Sequence, residues 1–368
     1  MIIIDAHLDL SMNALQGNRD LNQSVYTIRA QEAGMPGKGK GQGTVAYPEM
    51  RQGRIALSIV TLIARSTGHP VPHIDYRSHA QAYGMAQGQL AYYRALEGAG
   101  LIRMIEDADA LQAHMATWAA WDTETPTAEG NDSTATPPLG FVLSMEGADP
   151  ILNPEQLEAW WQAGLRLLGP THYGPGRYAG GTGTELGLTE LGAPLLKEMA
   201  RLGIILDLTH LSDQAFWQSV EIYEGPVLAS HNNCRALVPH QRQFSDKQLR
   251  VIIERDGVIG AAFDNWMLDP MWVKGESANT SVTLSTVVDH IDYVCQLAGN
   301  SRHAALGTDL DGGFGREQSP CDLDTIAYLQ KIPALLAARG YGDDDIAAIM
   351  HGNWVRFLMD AWSKDAVN

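Results

Sequence analysis

Only three cysteines, Cys234, Cys295 and Cys321, occur in the 368 residues. They are scattered and odd in number, which excludes a disulfide framework. No apolar stretch reaches membrane-spanning length. The first residues lack a basic segment followed by an apolar stretch and a small-residue cleavage site, so no secretory signal is expected and the expected address is the cytoplasm. Positive charge is also scarce, with 26 Lys and Arg against 43 Asp and Glu and a net charge of −17. That balance excludes nucleic acid and anionic membrane as partners, since both attract basic surfaces. The remaining composition, 45% hydrophobic and 19% charged, is that of an ordinary globular chain able to bury a substantial core.

Short apolar runs recur along this chain, each followed by a helical pattern. There are eight: "MIIIDAH", "RIALSIVTLI", "LGFVLSME", "GLRLLGPTH", "GIILDLTH", "GPVLASH", "GVIGAAF" and "HAALGTD". Amphipathic stretches lie between them, among them "TELGAPLLKEMARLG", "SDQAFWQSVEIY", "SDKQLRVIIERDG" and "TLSTVVDHIDYVCQLAG", with Ser or Thr placed as N-caps. Near-continuous apolar strands alternating with helices imply a parallel sheet covered by helices. Eight such units predict an α/β fold of the TIM (β/α)8 barrel type, with an open doubly wound sheet as the alternative. Two segments interrupt the rhythm. "EAGMPGKGKGQGTVAYPEM" is Gly-rich and basic without phosphate-loop spacing and reads as an active-site loop or a connector. The stretch 122–138, within "WDTETPTAEGNDSTATPPLG", is poor in apolar residues and reads as a flexible surface insertion. The rhythm resumes beyond it, so one domain over 1–368 is expected.

The polar residues collect where barrel chemistry occurs, at the C-terminal ends of the strands. The first run ends in Asp5, His7 and Asp9, which a period of two places on one face. The third ends in Glu146, the fourth in His172, the fifth in His210, the sixth in His231 and the eighth in Asp309 and Asp311. His69, His73, His79, His114, His240, His290, His303 and His351 fall mostly in loops or helical stretches and read as surface or hydrogen-bonded core residues. Carboxylates and imidazoles converging on one mouth repel or desolvate one another unless a cation joins them. Imidazole and carboxylate without cysteine suit Zn²⁺ best, with Mn²⁺, Co²⁺ and Fe²⁺ as alternatives. Five candidate ligands at these strand ends are more than one catalytic zinc takes, which points to two metals with one shared carboxylate.

The same motifs carry a family likeness. From "DAHLDL" through "SMEGAD", "LGLTELG", "LGIILDLTHLS", "ASHNNCRAL" and "GTDLDG" to "GNWVRFL", the chain resembles the membrane (renal) dipeptidases of the amidohydrolase superfamily nearly end to end. The resemblance implies that His7 and Asp9 bind one zinc, that His210 and His231 bind the second, and that Glu146 bridges them. It makes His172 a substrate-contacting histidine, Arg242 in "PHQRQFS" the receiver of the substrate carboxylate, and Asp309 the proton carrier. Asp311, already in the Gly-rich turn, is expected to hydrogen-bond that turn instead. Leu8 and Ser11 depart from the family's usual residues, and so does the 122–138 insertion; no ligand is lost. A glutamate at the bridging position and His-x-Asp at the start argue against the phosphotriesterase and dihydroorotase branches. The implied activity is a zinc-dependent dipeptidase, open to a D-residue at the C-terminal position, with a dipeptide as partner and a homodimer as the expected oligomer. Two readings stand beside it: the same metals acting on N-acyl amino acids, and a catalytically silent binding protein.

Overall fold

The computed structural model describes residues 1–68, 74–124 and 136–363. Among them, nine strands run parallel wherever they pair: β1 (Ile3–Leu8), β2 (Ile55–Leu62), β3 (Ile102–Met104), β4 (Leu139–Glu146), β5 (Leu165–Gly169), β6 (Ile205–Asp207), β7 (Val227–Leu228), β8 (Ile259–Ala261) and β9 (Ala304–Leu306). All eight apolar runs carry a strand. β3 has only three residues, too few for a periodic signal, and was not among them. The sheet order is β1-β2-β4-β5-β6-β7, with β3 on the side of β4 and with β8 paired to β9. A parallel bridge between Ala229 and Ile259 continues β7 toward β8. Past β9, the Asp309 N–H donates to the His7 carbonyl at 3.2 Å. The chain is thus an α/β protein with a curled parallel sheet.

Every residue of β2 and β4 is buried, as expected of strands covered on both faces. Alternate residues divide between two apolar clusters. Ile4, Ala6, Leu57, Ile59, Val142, Leu167, Ile205 and Leu228 form one, together with Trp354 and Phe357. Ile3, Ala56, Val60, Phe141, Leu168 and Leu206 belong to the other, under the surrounding helices. The C-terminal helix Asn353–Ser363 therefore plugs the inner cluster; Trp354 Nε1–H donates to the Leu306 carbonyl at 2.9 Å and Asn353 Nδ2 to that of Ala304 at 2.8 Å.

The helices begin where their caps dictate. Ser212 accepts from Ala215 N–H ahead of the helix Asp213–Ile222. Ser245 with Gln248, and Thr283 with Thr286, form capping boxes for Asp246–Glu254 and Leu284–Ala298. Of the 122–138 stretch, residues 122–124 end the helix Ala108–Glu124, and 125–135 lie outside the described residues; His69 and His73 do as well. His114, His290 and His303 are buried. His114 Nε2 lies 2.8 Å from the Ala56 carbonyl, His290 Nδ1 accepts from Cys234 N–H, and His303 Nδ1 lies 2.9 Å from the Gly257 carbonyl. No described helix is long and apolar enough to cross a membrane.

Candidate metal centre

One rule of position generates most of the site. Three residues beyond the last residue of β5, β6, β7 and β9 stand His172, His210, His231 and Asp309. Glu146 is the last residue of β4, and His7 and Asp9 straddle the end of β1. The parallel register brings these ends to one level, and the cluster forms there. Two members have left-handed backbone, His210 (φ 68°) and Asp309 (φ 58°), a conformation seldom tolerated by a side chain and concentrated at functional positions.

Glu146 Oε1 is the hub. It lies 3.3 Å from His210 Nε2, 3.4 Å from His231 Nε2, 3.6 Å from His7 Nε2 and 3.9 Å from His172 Nε2. His7 Nε2 lies 3.9 Å from both Asp9 Oδ1 and Asp309 Oδ1, and His210 and His231 face each other Nε2 to Nε2 at 3.1 Å. A tetrahedral zinc with bonds of about 2.0–2.1 Å separates adjacent ligand atoms by about 3.3–3.4 Å. The Glu146, His210 and His231 separations fall close to that edge length. Their outer ring nitrogens are engaged: His210 Nδ1 by Thr182 Oγ1 at 3.0 Å, His231 Nδ1 by Ser230 Oγ at 2.9 Å. Asp9 accepts from Thr61 Oγ1. His7 Nε2 and Glu146 Oε1 are buried and have no hydrogen-bond partner. Buried polar atoms are rarely left this way, and a divalent cation supplies the missing partner. The donor set therefore fits a metal.

The charges crowded here displace one another's protonation. Burial acts to lower the pKa of His7, but Glu146 first, then Asp9 and Asp309, hold it up at about 10. Burial and the charge of Glu146 push Asp9 up to about 6. Burial drives Asp309 well above the carboxylate range, and drives His210 and His231 well below the imidazole range. Glu146 is held well below its ordinary value because the surrounding imidazoles outweigh its burial.

Asp5 is not a member of this cluster, contrary to the period-two expectation. An irregularity in the β1–β2 register between Asp5 and Leu8 breaks the alternation. Its carboxylate instead accepts from Thr308 N–H (2.8 Å), Thr308 Oγ1 (2.6 Å) and His7 N–H (3.2 Å), tying the end of β1 to that of β9. Asp207 ties β6 to β7 in the same way, accepting from Thr209 and Ser230 N–H. Asp311 also lies outside the cluster. It accepts from Thr44 N–H, Thr44 Oγ1 and Val45 N–H and faces Arg19, so it anchors the distant loop at 43–45 and not its own Gly-rich turn, contrary to the sequence expectation.

Beside the cluster opens a cavity of about 110 Å³. Arg242 lines it, 2% exposed. The guanidinium donates to Asn232 Oδ1 at 2.6 Å and to the His231 carbonyl at 2.9 Å, while Nε has no partner. With five N–H groups available, the fork keeps donors for a ligand. His172 also lines the cavity. Its Nδ1 lies 3.1 Å from Arg65 Nη1. A guanidinium only donates, so Nδ1 is the acceptor and a neutral ring carries its proton on Nε2. Burial, reinforced by the cations Arg65 and Arg242, holds the ring down to about 3 and so neutral.

Sequence reasoning missed Arg65, Asp264, Lys38 and Lys274. Asp264 had a signal, since it stands three residues past β8, the offset seen at four other strands. Arg65 had the same signal, three residues past β2, and Lys38 lies in the Gly-rich basic segment read as an active-site loop or connector; Lys274 comes from a loop with no periodic position.

The family model described as membrane dipeptidase (peptidase family M19) matches residues 1–366. An uncharacterized protein in the pqqA 5′ region of Klebsiella pneumoniae is 33% identical over 236 residues, 61% of this chain and 83% of that protein. The dipeptidase aclJ of Aspergillus oryzae is 31% identical over 227 residues, 60% of this chain and 51% of its own length, so the match spans about half of that relative. A crystal structure of a metallopeptidase from Rhodobacter sphaeroides, bound to a phosphinate mimic of the dipeptide L-Ala-D-Ala, superposes with a TM-score of 0.78 at 24% identity, covering 98% of this chain and 99% of that one; the likeness is one of fold. The chain belongs to the membrane dipeptidase family, peptidase family M19, a family of dipeptide-cleaving metallopeptidases.

Proposed function

We propose that this protein is a binuclear zinc-dependent dipeptidase that hydrolyses the peptide bond of dipeptides and accepts a D-residue at the C-terminal position. The observation that carries it is Glu146 Oε1, buried without a hydrogen bond and ringed at 3.3–3.6 Å by Nε2 of His7, His210 and His231. In this reading His7 and Asp9 would hold one zinc and His210 and His231 the other, with Glu146 serving both. The fold is proposed to be a closed (β/α)8 barrel, supported by the Ala229–Ile259 bridge and the Asp309-to-His7 hydrogen bond, which join the two sheets at both edges. The L-Ala-D-Ala mimic in the Rhodobacter sphaeroides structure supports the substrate class.

Metal ions bound to such a set lower the pKa of a water toward neutrality and polarise the carbonyl under attack. The rest is done by the chain's own groups. Arg242 grips the C-terminal carboxylate with its free donors, which sets both the length of the substrate and the position of the scissile bond. His172, neutral with its proton on Nε2, donates toward the carbonyl oxygen as charge develops there. Asp309, whose burial raises its affinity for a proton, takes one from the attacking water when ionised and passes it to the leaving amine. An N-acyl amino acid would satisfy Arg242 equally, so the free α-amino requirement separates the two substrate classes.

Zinc titration of metal-free protein, assayed with L-Ala-L-Ala and L-Ala-D-Ala beside N-acetyl-alanine, tests this reading. Activity rising to a plateau at two equivalents, on the dipeptides alone, is the expected result. Full activity at one equivalent would refute the binuclear site, and turnover of N-acetyl-alanine without the dipeptides would refute the substrate class.

A further inference from the structure

Outside the metal cluster, the cavity wall reverses the charge of the molecule. The chain carries 43 acidic against 26 basic residues, yet among the described residues outside the metal cluster, in which Asp309 also faces the cavity, the wall presents Lys38, Arg242 and Lys274 against Asp264. Asp264 is itself occupied: Oδ1 accepts from Gln318 Nε2 and Oδ2 from Trp266 Nε1, both at 2.6 Å. Lys274 Nζ stands 3.8 Å from that Oδ2, beyond hydrogen-bond range. Lys274 is held over the Trp266 ring at 4.3 Å. Trp266 packs edge-on against His240 at 4.8 Å, and His240 Nδ1 accepts the Arg242 backbone N–H at 3.0 Å. This contact chain fixes Lys274 to the wall that carries Arg242. Lys38 enters the same cavity from the loop at 37–41, between Gly37 and Gly39, whose φ angles of 132° and 71° require glycine. That loop is pinned by Lys40 to Glu32 Oε1 at 2.9 Å and by Arg19 to the Gly39 carbonyl at 2.8 Å.

Resting on the dipeptidase reading, we propose that Lys274 and Lys38 form a specificity site for an acidic side chain on the C-terminal residue, so that the preferred substrates are dipeptides ending in Asp or Glu. With the α-carboxylate on Arg242, the side chain of that same residue shares the cavity that Lys274 and Lys38 line. A second carboxylate there meets an ammonium that Asp264 only partly neutralises. Burial lowers the Lys274 pKa; Asp264 and Asp309 oppose that shift, and the nearby cations Lys38 and Arg242 add to it, so a second carboxylate also relieves repulsion among the cations.

The test compares kcat/KM of zinc-loaded protein on Ala-Xaa dipeptides, with Xaa Asp, Glu, Ala or Lys in both L and D forms. Asp and Glu are expected to exceed Ala by about tenfold, mainly through KM, the ratio that one partly desolvated charge-assisted contact provides. The ratio should shrink in high salt. Lys274→Met should bring it toward one, and Lys274→Glu should reverse it in favour of Xaa Lys. Lys274 is 46% exposed, and a ratio between substrates cancels differences in the folded fraction. Cleavage of Ala-Ala with no acidic preference, or a preference untouched by Lys274→Glu, overturns this inference and leaves the dipeptidase reading standing. Cleavage of no dipeptide overturns both.

Discussion

Replacing Asp309 by Asn separates the chemistry of the site from its architecture. The two side chains have nearly the same shape, and Asn is among the few residues at ease with the left-handed backbone at this position (φ 58°). The backbone hydrogen bond from residue 309 to the His7 carbonyl survives the change. What disappears is one proton-accepting oxygen, 3.9 Å from His7 Nε2. No neighbour replaces it, because Asp9 is engaged by Thr61 and Glu146 is enclosed by imidazoles. Turnover should therefore fall about 10²–10⁴-fold, the range for losing a general acid–base and equivalent to about 3–5 kcal/mol of barrier. KM and zinc content should change little. Stability of the metal-free protein should move the other way. Burial raises the Asp309 pKa well above its ordinary value. The folded state then binds a proton that the unfolded state releases, and stability declines as pH rises through that window. Asn removes this penalty, so the metal-free variant should melt no lower than the parent at pH 8. Elemental analysis, steady-state kinetics on L-Ala-D-Ala and calorimetry at two pH values decide the matter. Loss of metal, or turnover within a few-fold of the parent with metal intact, would refute the proton-carrier role.

Arg242→Lys should cost nearly as much as Arg242→Ala on free dipeptides, because an ammonium cannot reproduce a planar fork already bonded to Asn232 and to the His231 carbonyl; the loss should shrink sharply on dipeptide amides, and equal losses on both would show that the arginine holds the architecture and not the carboxylate. Arg65→Met should lower kcat about tenfold while zinc content holds, since it frees His172 to carry its proton on Nδ1 and weakens an oxyanion donor worth up to about 10²-fold; Arg65→Lys, which also only donates, should restore most of the rate, and failure of that rescue would remove the tautomer argument.

How much of this was readable in the chain depends on the range of the interaction involved. The strands were legible because burial on both faces demands apolar residues in runs such as "RIALSIVTLI", whatever lies around them. The charged residues closing those runs were legible for a related reason: a carboxylate or imidazole at the end of a buried strand has no solvent, so its presence at several strand ends marked one location. β3 escaped because three residues carry no period. Asp5 was misread because a register irregularity, a property of two strands together, breaks the alternation that a single strand predicts. Asp309 and Asp311 are identical in type and two apart. Only the fold turns the first toward His7 and the second toward Thr44.

The sequence by itself determined the order of strands and helices, the residue types able to hold a metal, and the strand ends on which they stand, because these follow from local periodicity and from the cost of burying charge. The tertiary structure alone decided which atoms meet. The curl of the parallel sheet brings Glu146 within reach of histidines 139 residues before it and 85 residues after it. Loop packing then sets Arg65 on His172 and Lys274 beside Arg242. Those contacts join segments far apart in the chain, and their geometry is fixed by the packing of the whole curled sheet and its helices, which no local pattern encodes.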